Sequence, residues 1–211
     1  MTKTFIIDTN CFIDNDLFNK YFQLVSTQRQ KKISRLVPKT SKRLSLGAGV
    51  ALSIALERFG LYGSNAEIQY SEKGKPFLKN NDTHISISHS GHYAVAAIGT
   101  CRVGIDIEEV KSIEDAVIKR VTTRNEQAQI KNLRDFYRLW TAKECILKIT
   151  GEGLFGGMEN IDLRLNGDVI SVISSPIKKM LYFKEYDVSS FCLTVCAEDD
   201  NFASAIEKIS F

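Results

Sequence analysis

The sequence predicts an α+β fold, and three observations carry that prediction: two long helices with apolar stripes, a glycine turn after each, and short β-rich runs after each turn. The order helix, turn, antiparallel strands occurs once in each half, through G-K-P-F and G-E-G-L-F. It outlines an internal duplication, although the halves share few identical residues.

In chain order, a basic segment from Arg29 to Arg43 precedes SLGAGVALSIALERFG. There Leu46, Val50, Ile54 and Leu56 to Phe59 recur at helical spacing, and Gly60 supplies a stop. Gly74-Lys75-Pro76-Phe77 is a turn by composition. The runs HISIS, HYAVAAIG and CRVGIDIEEV follow and predict a three-stranded meander, with turns at Ser90-Gly91 and Gly99-Thr100. The second half opens with a mixed helix over residues 113 to 132. Arg134 to Ile149 is a strong helical pattern whose broad apolar face holds Phe136, Leu139, Trp140, Ile146 and Leu147. Strands are predicted at IDLRL, VISVI, LYFKEYDV and FCLTVCA.

The 211 residues are 44% hydrophobic with only three prolines, so the chain has the apolar content to bury a core and disorder is not expected. A net charge of +3 is too weak a field to argue for nucleic acid or a membrane as partner. The N-terminal apolar run is three residues long before Asp8 interrupts it, too short for a signal-peptide core or a membrane span, and a cytoplasmic protein is expected. Five scattered cysteines with no C-x-x-C pair support neither a disulfide framework nor a zinc knuckle.

The chemistry concentrates in three stretches. In Val103-Gly104-Ile105-Asp106-Ile107-Glu108, strand alternation turns the aliphatic side chains to one face and sets Asp106 and Glu108 side by side on the other. Two adjacent carboxylates repel unless a proton or cation lies between them, and a hard divalent ion with oxygen ligands answers that; the plain alternative is a solvated edge strand. In Trp140-Thr141-Ala142-Lys143-Glu144-Cys145-Ile146-Leu147-Lys148, Glu144 and Lys148 are four apart and share a helix face. Alone they read as a surface pair worth about 0.3 to 0.5 kcal/mol. Beside a carboxylate strand they read as a third Mg²⁺ ligand and a phosphate clamp. In Ile87-Ser88-His89-Ser90-Gly91-His92, hydroxyls, imidazole and glycine at a strand end offer donors to an anion. A satisfied turn is the plain alternative there. A metal triad of His84, His89 and His92 is disfavoured by the hard carboxylates nearby. Gly151 to Gly156 matches G-x-G-x-x-G, yet it follows a helix where a dinucleotide fingerprint must follow a strand, so its expected role is to stop the helix and turn the chain.

Taken together, G-K-P-F, I-S-x-S-H-S-G, G-I-D-I-E and W-T-x-K-E-x-x-x-K stand in an order and spacing that resemble the single-chain, Sfp-type class of the 4′-phosphopantetheinyl transferase superfamily, across residues 29 to 155. The resemblance implies a pseudo-twofold arrangement of two similar α/β lobes, each with a small antiparallel sheet and a long helix. The active site then lies in the cleft between residues 1–100, on the nucleotide side, and residues 101–211, which carry the carboxylates and catalytic helix. It implies transfer of the 4′-phosphopantetheine of coenzyme A to a serine of an apo acyl or peptidyl carrier protein, by a monomer using Mg²⁺. Carried over by position, Asp106, Glu108 and Glu144 correspond to the Mg²⁺ ligands, and Glu144 also to the base. Lys148 corresponds to the diphosphate contact, Lys75 to the adenine side, and Ser88, His89 and Arg43 to the 3′-phosphate region. The basic stretch Gln-Arg-Gln-Lys-Lys-Ile-Ser-Arg registers two ways, leaving Lys31 and Lys32 as alternatives for that phosphate. The usual F-S-x-x-E segment stands here as Val121-Thr122-Thr123-Arg124-Asn125-Glu126, which makes Glu126 an accessory candidate. Lys111, Lys119, Arg120 and Arg124 are candidates for docking an acidic carrier, against the alternative of a solvated helix face. The competing readings are a Mg²⁺-dependent nucleotide phosphohydrolase and a non-catalytic coenzyme A-binding module.

Overall fold

In the computed structural model, which describes residues 1–79, 81–151 and 157–211, the N-terminal apolar run becomes a central strand, β1 (Lys3–Asp8). Phe5 and Ile7 enter one core and Ile6 another, so both faces are covered. A short helix α1 (Asn15–Phe22) follows, with Asp14 accepting from the backbone N–H groups of Asp16 and Leu17 as N-cap. The basic segment then splits into α2 (Thr27–Arg35), capped by Ser26, and the opening of α3 (Lys39–Arg58). Because Pro38 stands at the N-cap of α3, the helix begins five residues before Leu44 and takes Arg43 into its second turn. Past α3, Gly60 adopts φ 77, a left-handed conformation that glycine tolerates best.

Strands β2 (Ile68–Tyr70) and β3 (Pro76–Leu78) form a small ladder around the G-K-P-F turn. Strands β4 (His84–Ser90) and β5 (Tyr93–Gly99) form the expected hairpin. The third strand of the expected meander does not continue the sheet: β6 (Val103–Glu109) pairs with a strand from the far end of the chain. Ile105 and Ile107 pack against the sheet-facing Val95 and Ala97 of β5, so burial is won by stacking β6 on the first sheet.

The mixed helix expected over 113–132 is two short helices, α4 (Asp115–Val121) and α5 (Arg124–Gln127), broken by a reciprocal capping box between Thr123 and Glu126. Helix α6 (Leu133–Thr150) ends at Gly151 with φ 78, the stop the glycine predicted; residues 152–156 of the glycine pattern lie outside the described residues. The later strands fall close to the four predicted runs: β7 (Asp162–Asn166), β8 (Val169–Ser174), β9 (Tyr182–Val188) and β10 (Phe191–Ala197). A last strand, β11 (Glu207–Ile209), pairs parallel with β1.

Two main sheets result, ordered β11-β1-β5-β4 and β6-β10-β9, with β2-β3 and β7-β8 as separate hairpins. Three cores show the layering. The first sheet packs one face on α3, its other face meets the second sheet, and the far face of the second sheet meets α6 through Cys196. The fold is α+β with small, mainly antiparallel sheets. Among the described residues no helix is long and apolar enough to cross a membrane.

Candidate functional site

A single close approach brings helix and strand together. A Cβ placed on Gly104 would overlap the backbone carbonyl of Cys145, so only glycine lets α6 lie directly on β6. Thr141 and Thr194 share a hydroxyl hydrogen bond of 2.7 Å and Cys145 Sγ donates to Thr194 O, fixing the rotation of α6 over β10. Glu144 and Lys148 are thereby turned toward Asp106, in the middle of β6.

The meeting point borders a cavity of about 330 Å³. Asp106 and Glu108 reach it from β6, Glu144 and Lys148 from α6, Ser88 and His89 from β4, Lys75 from the G-K-P-F turn and Lys32 from α2. Two expected residues stand elsewhere. Lys31 is exposed on another side of α2, in a hollow with Phe22 and Ser34, and Arg43, half-buried in α3, is not among the lining residues. Arg29 and Lys73 also line the cavity and were not singled out from the sequence. For Arg29 the signal was its i,i+3 spacing to Lys32, which puts both on one helix face. Arg29 is buried, its guanidinium stacks over Tyr70, and its Nε has no partner among the described residues.

The charges sort into two groups. Lys148 Nζ donates to Asp106 Oδ1 at 2.6 Å and to Ile105 O at 2.8 Å, and no Glu144–Lys148 ion pair occurs among the described residues. Burial works against the Lys148 ammonium, yet the Asp106 charge and hydrogen bond outweigh it and raise its pKa. Burial first, then the Asp106 charge, lifts the Glu144 carboxyl from its ordinary 4.5 to about 7. Glu108 is raised for the same two reasons, in the same order, with a hydrogen bond from Ser90 acting against them. His89 is pushed down mainly by burial and by the cations Lys148, Lys32 and Arg29. Burial and the Arg102 charge lower the Lys75 pKa, and its Nζ donates to Ile149 O near the end of α6.

Among the described residues no three His, Cys, Asp or Glu side chains form a ready-made metal cage. Lys148 and Ser88 occupy Asp106 Oδ1, and Ser90 occupies Glu108 Oε2. Asp106 Oδ2 and Glu144 Oε1, however, are buried without a hydrogen-bond partner, a costly state for carboxylate oxygens that a cation relieves. Mg²⁺ is normally held by one or two carboxylates plus substrate phosphates, so this set fits it without a cage.

The accessory candidate Glu126 is spent on structure. It is fully buried, pairs with Lys143 at 2.5 Å, and accepts from the backbone N–H groups of Thr123 and Leu163. His84 and His92 do not line the cavity; the His92 ring lies tilted against Tyr93 and meets Phe191 edge-on.

A profile of the 4′-phosphopantetheinyl transferase superfamily matches residues 102–196, the span that holds β6 and α6. The chain is 28% identical over 202 residues to 4′-phosphopantetheinyl transferase Sfp of Bacillus subtilis (strain 168), covering 91% of this chain and 90% of that protein. It is 28% identical over 203 residues to 4′-phosphopantetheinyl transferase ffp of Bacillus subtilis, covering 92% and 91%. It is 32% identical over 150 residues to 4′-phosphopantetheinyl transferase gsp of Aneurinibacillus migulanus, covering 68% and 63%. The chain belongs to the 4′-phosphopantetheinyl transferase superfamily, in its Sfp-type class.

Proposed function

We propose that this enzyme transfers the 4′-phosphopantetheine group of coenzyme A to a serine of an apo acyl or peptidyl carrier protein, giving holo carrier protein and 3′,5′-ADP. The activity is the one its relatives are named for. The observation that carries the reading is the convergence of Asp106, Glu108, Glu144 and Lys148 on one cavity that Arg29, Lys32 and Lys75 also line. Acids beside a run of cations suit a substrate with a diphosphate in the middle and a further phosphate at one end.

In this reading Lys32 and Arg29 hold the 3′-phosphate together with His89 and with Ser88, whose hydroxyl turns to it from Asp106, while Lys75 contacts the adenine side and Arg43 supports the same region from α3. Lys31 is not used. Asp106, Glu108 and Glu144 would hold Mg²⁺, which when bound supplies positive charge to the diphosphate oxygens. Lys148 stabilises the negative charge of the departing 3′,5′-ADP. Glu144 takes the proton of the carrier serine, directly or through a water. A carboxyl lifted to about 7 is matched to accepting a proton at neutral pH, and contact with a cation lowers it and favours the water-relayed route.

The proposal extends to the architecture: residues 1–100 and 101–211 act as two pseudo-twofold-related lobes with the site in their cleft, in a cytoplasmic monomer. Lys111, Lys119, Arg120 and Arg124 are exposed around α4 and α5, and they supply a basic surface for an acidic carrier.

The test is to incubate the protein with coenzyme A, Mg²⁺ and apo carrier proteins and to follow the carrier by mass. A gain of about 340 Da is expected, the mass of the arm on serine. Glu144→Gln and Asp106→Ala should each lower the rate about 100-fold or more while the fold persists. Phosphate release without any carrier would instead establish a hydrolase.

A further inference from the structure

Two strands that border the cavity are edges of different sheets. β4 ends the order β11-β1-β5-β4, and β6 ends the order β6-β10-β9. They lie side by side and run in the same direction, because Ser86, Ser88 and Ser90 meet Ile105, Asp106 and Glu108 in ascending order, yet no backbone ladder joins them. Edge N–H groups turned inward need partners. Here serine hydroxyls supply them: Ile105 N donates to Ser86 Oγ at 3.1 Å, and Glu109 N donates to Ser90 Oγ at 3.3 Å. Serine at alternate strand positions puts all three hydroxyls on one face.

Ser90 has a second task that Ser86 lacks. A hydroxyl carries one donor and two acceptor sites, and while Ser90 Oγ accepts from the Glu109 backbone it donates to Glu108 Oε2 at 2.7 Å. Among the described residues the Glu108 carboxylate makes no other hydrogen bond or ion pair, whereas Asp106 is held by both Ser88 and Lys148. One hydroxyl therefore sets both the backbone and the side-chain direction of the second carboxylate of the strand.

We infer that Ser90 is a positioning residue for Glu108, fixing the carboxylate toward the cation that the site takes up. The inference rests on the assignment of Glu108 to that cation under the proposed function. Ser90 does not act on substrate. It raises the fraction of time that Glu108 spends in the binding geometry, as outer partners of metal-ligating carboxylates do.

The experiment adds Mn²⁺ to the full chain, counts the free ion by electron paramagnetic resonance, and follows amide exchange and the unfolding midpoint in parallel. Ser90→Ala is expected to weaken Mn²⁺ binding about tenfold and to speed exchange at the Glu109 amide. Ser90→Thr, which keeps the hydroxyl, should restore the affinity. Ser86→Ala removes a backbone bond of the same row without touching a carboxylate; it should speed exchange at Ile105 and leave Mn²⁺ binding unchanged. If Ser86→Ala and Ser90→Ala lose Mn²⁺ equally, the row is only a weld between strands and the positioning role is overturned. If Ser90→Ala binds as wild type while Glu108→Gln is weakened, the role is likewise overturned but the cation assignment stands. Unchanged binding in Glu108→Gln overturns that assignment and the inference with it.

Discussion

At the scale of single residues, the carboxyl of Glu144 shows how burial shifts a titrating group. Its pKa of about 7 means that, between pH 4.5 and 7, the folded chain keeps a proton that the unfolded chain has released. Stability contributed by this protonated carboxyl is therefore lost as pH rises through that window. In metal-free protein the stability of wild type relative to Glu144→Gln should fall from pH 4.5 to 7, read as unfolding midpoints; a gap that does not change with pH would remove the argument. His89 responds with the opposite sign. Burial and three nearby cations hold its imidazole low, so a phosphate among those cations should raise its pKa by about one unit or more. Titration by nuclear magnetic resonance with and without 3′,5′-ADP measures this, and an unmoved value would place the phosphate elsewhere.

At the scale of elements, the contact between α6 and β6 decides whether a site exists. Gly104 is the residue that permits it. A methyl group there must push the Cys145 backbone away, carrying Glu144 and Lys148 with it. Gly104→Ala is expected to cost about 1 to 3 kcal/mol in urea unfolding and to abolish carrier modification; full activity would show that the close approach is dispensable. The later strands were legible in the sequence because short runs rich in strand-forming residues, such as VISVI and FCLTVCA, are a local property. The mixed helix was not. Its interruption depends on Glu126 reaching back to Thr123 while its other oxygen binds Leu163 N, and the second half of that arrangement is 37 residues away in the chain. Helix α3 likewise starts early because Pro38 forms its N-cap, a signal present in the sequence but overshadowed by the apolar run beyond it.

At the scale of the whole molecule, the cavity takes residues from both main sheets, β4 from one and β6 from the other, and from two helices. A ligand bound there touches groups that unfolding separates. Coenzyme A with Mg²⁺ at about a hundredfold excess over the dissociation constant should stabilise the fold by about 2.7 kcal/mol, read as a rise in the thermal midpoint, and chelation should remove part of it. No rise with either ligand would contradict the site.

The sequence by itself determined the α+β class, most strand positions and that Asp106 and Glu108 stand on one face, because spacing along a strand or helix fixes which side chains share a face. It also named Lys148 and Glu144 as a pair on one helix. Only the tertiary structure decided that Lys148 serves Asp106 instead, that β6 leaves the first sheet for β10, that Lys32 rather than Lys31 faces the cavity, and that Arg29 joins it. Those outcomes are set by which distant surfaces bury one another, and no local periodicity contains that information.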